Sequence, residues 1–235
     1  ATLADGETIL ENVAKEPEVV FLADVLNKCG AKIKGQGTDL LVIQGVRSLQ
    51  PIDCQICPDR IETGTYMIAS AITGGDVNIV NCLPKQVETL TLKLRQAGVT
   101  IKETESSLRI ISDGSLTGVN IKTQPHPGFA TDLQAQFMAL MTLAQGQSII
   151  LETIFENRFM HVAELNRMGS NITVQGHTAF VKGVKRLSGA PLMATDLRAS
   201  ASLVLAALAA EGESVISRVY HIDRGYFGIE EKLYR

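Results

Sequence analysis

The chain has 235 residues, of which 45% are apolar and 5% aromatic, and its 22 Lys and Arg against 25 Asp and Glu leave a net charge of −3. This balance suits a globular α/β protein and excludes a broad nucleic-acid surface, since neutralising many phosphates takes a basic stripe. The longest nearly apolar run, Ala199 to Ala210, is too short to span a bilayer, and the N-terminus lacks signal-peptide order, so no membrane insertion and a cytoplasmic location are expected.

In chain order, Gly6 to Asn12 is predicted as a strand, and Leu26-Asn27-Lys28-Cys29-Gly30 as a helix end with glycine at the left-handed cap. Gly35-Gln36-Gly37 turns between two short strands, and Gln50-Pro51-Ile52-Asp53 with Pro58 marks a crossing between domains. Asp59-Arg60-Ile61-Glu62 then opens an apolar-periodic helix that runs to Gly74-Gly75. Thr131-Asp132-Leu133-Gln134 opens another running to Gly146, and Thr195-Asp196-Leu197-Arg198 a third running to Gly212. The three aspartates lie 73 and 64 residues apart.

A β-rich run follows each glycine, at Val77 to Val80, Ser148 to Leu151 and Ser214 to Val219. Second helices close at Lys93-Leu94-Arg95-Gln96-Ala97-Gly98 and Glu164-Leu165-Asn166-Arg167-Met168-Gly169, and a last one starts at Ile229 and reaches Arg235. Two short strands come after each closing glycine, such as Ile172 to Gln175 and Ala179 to Lys182 around Gly176-His177. The unit is α-β-α-β-β, too long for a common solenoid and rich enough in mixed structure to pack helices under a sheet.

Among the residues that carry chemistry, Cys54 and Cys57 form one Cys-x-x-Cys pair, but no second pair and no histidine at ligand spacing accompany it. All four cysteines are expected to be reduced structural thiols. His126, His161, His177 and His221 form no metal constellation, and neither a metal nor a cofactor is expected. From spacing alone, Thr131 with Gln134 is a capping box in which Asp132 suits the helix dipole. Arg198 stands where a capping box would close, so it pairs with an acid such as Asp196 or offers donors to a phosphate or carboxylate. Arg224 precedes a glycine and an expected helix start, a favourable place for an anion, or it pairs with Asp223. Glu156 and Arg158 flank Asn157 and are expected to form an ion pair.

Four segments together resemble the bacterial enolpyruvyl transferases, and among them those acting on UDP-N-acetylglucosamine. They are Ala130-Thr131-Asp132-Leu133-Gln134-Ala135-Gln136, Phe155-Glu156-Asn157-Arg158-Phe159-Met160-His161, Ala194-Thr195-Asp196-Leu197-Arg198-Ala199-Ser200 and Tyr220-His221-Ile222-Asp223-Arg224-Gly225-Tyr226. The resemblance implies an inside-out α/β barrel of repeated units, helices inside and sheet outside, with two domains facing across a cleft. On that comparison residues 1–57 end one domain, and residues 58–235 are most of the second, cut short in its last repeat.

The resemblance also implies the reaction: transfer of the enolpyruvyl group from phosphoenolpyruvate to the 3′-hydroxyl of UDP-N-acetylglucosamine, the first committed step of peptidoglycan synthesis. Asp132 would be catalytic and sugar-contacting, Ile154 would meet the nucleotide sugar through its backbone, and Asp196, Leu197, Arg198 and Arg224 would border phosphoenolpyruvate. Arg60, His126, Thr131, Glu156 and Arg158 are further cleft candidates. The family's mobile loop and its N-terminal lysine and asparagine are not found here, so the polypeptide alone is expected to be inactive without the remainder of its chain. The alternatives are the shikimate 3-phosphate branch of the family and a non-catalytic module that binds a sugar nucleotide or a protein.

Overall fold

A computed structural model describes residues 1–234. The chain divides into two compact units, residues 1–58 with 125–128, and residues 59–124 with 129–235. Arg235, the expected end of the last helix, lies outside the described residues.

The first unit contains strand β1 (Glu7–Glu11), helix α1 (Pro17–Lys28) and strands β2 (Lys32–Lys34) and β3 (Leu40–Gln44). Its antiparallel sheet has the order β1-β3-β2. Ala23, Ala31, Ile33, Leu41 and Ile43 form its core, with Val13, Leu26 and Leu49 packed against them.

The second unit repeats this β-α-β-β plan twice, with a buried helix before each copy, and a third such helix is followed by two short strands and two short helices. Helix α2 (Arg60–Thr73) precedes β4 (Asp76–Val80), α3 (Glu88–Gln96), β5 (Thr100–Glu103) and β6 (Ser107–Ile111). After β7 (Ile121–Lys122), a 3-10 turn at Thr131–Leu133 leads into α4 (Gln134–Met141). Then come β8 (Gln147–Leu151), α5 (Val162–Arg167), β9 (Asn171–Gln175) and β10 (Thr178–Lys182). Strands β11 (Leu187–Ser188) and β12 (Pro191–Met193) precede α6 (Leu197–Leu208), β13 (Ala210–Glu211) and β14 (Val215–Ser217). Two short helices, α7 (Tyr220–Asp223) and α8 (Ile229–Tyr234), complete the order.

The expected repeat is visible bond by bond. In three copies the residue after the closing glycine donates its N–H to the carbonyl five residues back: Ala31 to Leu26, Val99 to Leu94 and Ser170 to Leu165. This is the longer bond of a Schellman cap, and Gly30, Gly98 and Gly169 hold the positive φ that it requires. Asn27 and Asn166 each clamp the strand six residues on by bonding both N–H and carbonyl, of Ile33 and Ile172 respectively. Arg95 makes the same reach to the Ile101 carbonyl at 2.9 Å. The sheets repeat too, in the orders β4-β6-β5 and β8-β10-β9, with β7 added parallel to β8.

Helices α2, α4 and α6 pack on one another, and the sheets lie against them, β4 and β6 on α2, β8 and β10 on α4. All eight residues of α4 are buried. Small residues allow the close approach: a Cβ on Gly64 would stand 2.8 Å from two Leu133 methyls. Helices therefore sit inside and sheets outside.

Several boundaries differ from those expected. Helix α4 stops at Met141, short of Gly146; a turn and a bend fill 142–144, and Gln145 forms an isolated bridge with Thr117. The run Ser214 to Val219 is a strand only over Val215–Ser217, because Arg218 takes a φ of +62° and ends the extended backbone.

The three helix starts also divide. Asp59 caps α2 by accepting from the N–H groups of Ile61 and Glu62, at 2.7 and 3.1 Å. Asp196 caps α6 in the same way, accepting from Arg198 and Ala199, both at 2.9 Å. At the corresponding place the 3-10 turn makes Ala130 the cap residue, and neither Thr131 nor Asp132 caps. The capping box expected at Thr131 and Gln134 does not form, and the Gln134 amide is buried without a partner among the described residues.

Replacing Asp59 with alanine is expected to lower the stability of the second unit by about 1 kcal/mol, with asparagine restoring most of it. Urea denaturation of Asp59→Ala and Asp59→Asn beside the parent measures this.

Candidate active site

Freed from capping, the Asp132 side chain turns to two arginines. Arg158 Nη2 donates to Asp132 Oδ1 at 2.8 Å, and Arg198 Nε lies 3.4 Å from the same oxygen. The arginine side chains are 17% exposed and the aspartate 36%. Among the described residues Asp132 Oδ2 makes no hydrogen bond. Two guanidinium groups on one carboxylate leave a local excess of positive charge, which favours an anionic ligand.

Each arginine is held from behind. The Arg158 guanidinium lies 4.8 Å over the centre of the Phe155 ring. Arg198 Nη1 donates to Tyr226 Oη at 3.5 Å, a long contact, and Tyr226 is itself buried. Thr65 gives its one hydroxyl proton to the Ile61 carbonyl at 2.8 Å, so the 2.9 Å contact between Thr65 Oγ1 and Tyr226 Oη has the tyrosine as donor. Tyr226 Oη then accepts from Arg198 and from Gln136 Nε2, the latter at 3.3 Å. The chain of donors runs from Arg198 into the body of α2.

A buried carboxylate organises the other flank. Glu152, 1% exposed, follows β8. Its Oε1 accepts from Thr123 Oγ1 at 2.8 Å and from the N–H groups of Ile154 and Phe155 at 2.8 and 3.1 Å. Its Oε2 accepts from Thr131 Oγ1 at 2.9 Å.

His161 is also buried, and its Nε2 has no partner among the described residues. Burial pushes its pKa down from 6.5 to about 4; the nearby Asp196 pulls it up, and Arg158 adds to the lowering. It is a neutral core histidine.

Residues 1–233 match the family described as EPSP synthase (3-phosphoshikimate 1-carboxyvinyltransferase). The chain belongs to that family. A protein of Magnetococcus marinus named UDP-N-acetylglucosamine 1-carboxyvinyltransferase is 61% identical over 234 residues, and its namesake from Geobacter metallireducens is 58% identical over 233. Each alignment covers 99% of this chain and 56% of the relative, so the chain spans about half the length of the curated relatives it matches. Among solved structures, the enolpyruvyl transferase NikO from Streptomyces tendae is similar with a TM-score of 0.87 and 28% identity, over 99% of this chain and 56% of its own. EPSP synthase from Acinetobacter baumannii shares the fold, with a TM-score of 0.72 at 19% identity, over 99% of this chain and 57% of its own. The architecture of helices inside and sheets outside is thus the enolpyruvyl transferase fold, the fold class expected from the sequence.

Within this family fold, Asp132, Arg158 and Arg198 come together, with Thr131 and Ile154 joined to them through Glu152. The partner expected for Arg198 was Asp196, but Asp196 is occupied as a cap and Arg198 reaches Asp132. The pair expected between Glu156 and Arg158 is likewise replaced by Asp132 with Arg158, and Glu156 is exposed. Leu197 packs toward Gly225, where a Cβ would meet its Cδ2 at 2.9 Å.

Arg224 does not precede a helix start. It caps the C-terminal end of the four-residue α7, where a cation suits the helix-end carbonyls, and it is exposed with no ion pair to Asp223 among the described residues. Arg60 is the half-buried first residue of α2. His126 belongs to the first unit, where its backbone N–H donates to Glu16 Oε1 at 3.4 Å.

Glu152, Thr65, Gln136 and Tyr226 were missed as site residues. Glu152 carried a signal, since Ser148, Ile150 and Glu152 share the inward phase of one strand, and an acid on that face needs donors.

Tyr226→Phe removes a donor from Thr65 and an acceptor from Gln136 and Arg198, and is expected to cost about 1–3 kcal/mol by urea denaturation. His161 gives a pH dependence of definite sign. Its folded pKa lies below the unfolded value, so its stabilising effect is complete above about pH 6.5 and is lost as the pH falls toward 4. Relative to His161→Leu, the parent is expected to lose roughly 2–4 kcal/mol of unfolding free energy as the pH falls across that window.

Proposed function

We propose that the protein transfers the enolpyruvyl group of phosphoenolpyruvate to the 3′-hydroxyl of UDP-N-acetylglucosamine and releases inorganic phosphate. The observation that carries this reading is identity of 58% and 61%, across 99% of the chain, with two proteins named for that reaction. The geometry supports it. Asp132 has one oxygen held by cations and the other without a hydrogen bond among the described residues, an arrangement suited to receiving a hydroxyl proton.

In this reading the acceptor oxygen attacks C2 of phosphoenolpyruvate as its proton passes to Asp132 Oδ2. A second acid protonates C3, which gives a tetrahedral phosphate-bearing intermediate. Loss of phosphate from C2 and of a proton from C3 then forms the enol ether. Arg198 and Arg158 fix the base, and their excess charge favours the phosphate and carboxylate of the donor substrate.

Ile154 meets the nucleotide sugar through its backbone, and Asp196 and Leu197 place Arg198 at the phosphoenolpyruvate end. Exposed Arg224 supplies a further cation to that substrate, while Arg60, Thr131 and Glu156 stand as cleft residues. The acid for C3 is supplied from the part of the relatives' length that this sequence does not span, so the working site needs that part as its partner. The substrates place the enzyme in the cytoplasm, at the entry to peptidoglycan synthesis, without a role for nucleic acid or membrane.

Phosphate release by the protein in its natural full length is expected with UDP-N-acetylglucosamine and not with shikimate 3-phosphate. Asp132→Asn is expected to lower kcat about 10²–10⁴-fold. Release with shikimate 3-phosphate alone, or full activity in Asp132→Asn, would contradict the reading.

A further inference from the structure

We propose that Glu152 is a positioning residue, whose buried carboxylate locks the Asp132 turn to the loop that carries Arg158. The inference rests on the reading of Asp132 as the group that receives the hydroxyl proton.

Asp132 and Arg158 are 26 residues apart in sequence and lie on irregular segments, a 3-10 turn and the loop after β8. The Arg158 loop has no helix or strand ladder to fix it, and the 3-10 turn is held by the bonds from Leu133 to Ala130 and from Gln134 to Thr131, which fix the backbone but not the Thr131 and Asp132 side chains. Both converge on Glu152. Thr131, the neighbour of Asp132, donates to one carboxylate oxygen, and the N–H groups of Ile154 and Phe155, at the start of the Arg158 loop, donate to the other. The Glu152 backbone is itself anchored, since its N–H donates to the His177 carbonyl at 2.9 Å.

The choice of residue is constrained. Four donors, two hydroxyls and two backbone N–H groups, point at this side chain, and a carboxylate has acceptor sites for all four. No cation pairs with Glu152 among the described residues, so the donors alone offset its desolvation. Glutamine offers one oxygen and an amide nitrogen. Turned with its oxygen to the three-donor side, it can keep Thr131 in place only by donating to the threonine hydroxyl. Alanine holds neither segment. The contact made to substrate is left to Asp132, and Glu152 acts through it.

The test is a kinetic double-mutant cycle in the full-length protein, assayed by phosphate release with the fold monitored by urea midpoint. Glu152→Ala is expected to lower kcat about 100-fold with KM for phosphoenolpyruvate within about 3-fold, while KM for the nucleotide sugar rises as the Ile154 backbone loses its tie, and Glu152→Gln to recover kcat to within about 10-fold of the parent. In the Asp132→Asn background Glu152→Ala is expected to cost less than about 2-fold further, because the group it positions is already gone. If Glu152→Ala does not fold, Thr131→Val takes its place in the cycle, as it cuts only the tie to the Asp132 turn. A loss of about 10-fold in the parent and less than about 2-fold in Asp132→Asn supports the proposal.

Equal fractional losses in both backgrounds, or a folded Glu152→Ala with kcat within about 3-fold of the parent, overturn the positioning role alone. No phosphate release by the parent with the nucleotide sugar, or full activity in Asp132→Asn, overturns the functional reading and the proposal with it.

Discussion

The contact on which the site depends is the meeting of one carboxylate oxygen of Asp132 with the guanidinium groups of Arg158 and Arg198. A half-buried carboxylate between two cations is held in one orientation, because the hydrogen bond and the charge act on the same atom. Its other oxygen is thereby directed as well. Three stretches of chain contribute, the 3-10 turn before α4, the loop after β8 and the first turn of α6, and no one of them could build the arrangement alone.

The repeat explains how such a group comes to be available. Asp59 and Asp196 stand at helix starts and satisfy backbone N–H groups, the ordinary use of an acid in that place. At the middle copy a 3-10 turn moves the cap to Ala130, and Asp132 is left with no backbone duty. Thr131, the capping-box residue expected from the sequence, bonds to Glu152. A small change at the start of one helix thus converts a structural aspartate into one that can serve a ligand. The buried polar chain from Arg198 through Tyr226 and Thr65 to the Ile61 carbonyl then ties the site to the packed helices, at the cost of placing polar groups in the core.

Much of this was legible in the sequence. The repeated aspartates, the closing glycines and the paired short strands marked the units, since each depends on local rules of capping and turns that act within a few residues. The fold class followed from the resemblance of four motifs. What escaped were the contacts made across the repeat. Arg198 and Arg158 were assigned to the acids nearest in sequence, whereas both reach Asp132 from other elements. Arg224 was expected at a strand-to-helix turn, between a β-rich run and a helix start, but the positive φ at Arg218 ends the strand early and α7 forms before it. Glu152 lay in view at an inward strand position, yet the four donors that make its burial tolerable come from residues 123, 131, 154 and 155, which only folding assembles.

The most direct test is the structure of the full-length protein with UDP-N-acetylglucosamine bound, and in it the distance from Asp132 Oδ2 to the acceptor hydroxyl. A separation within hydrogen-bond reach, about 2.6–3.2 Å, is expected, with Oδ1 still on Arg158. A sugar hydroxyl that meets another residue, with Asp132 bound to the arginines through both oxygens, would contradict it.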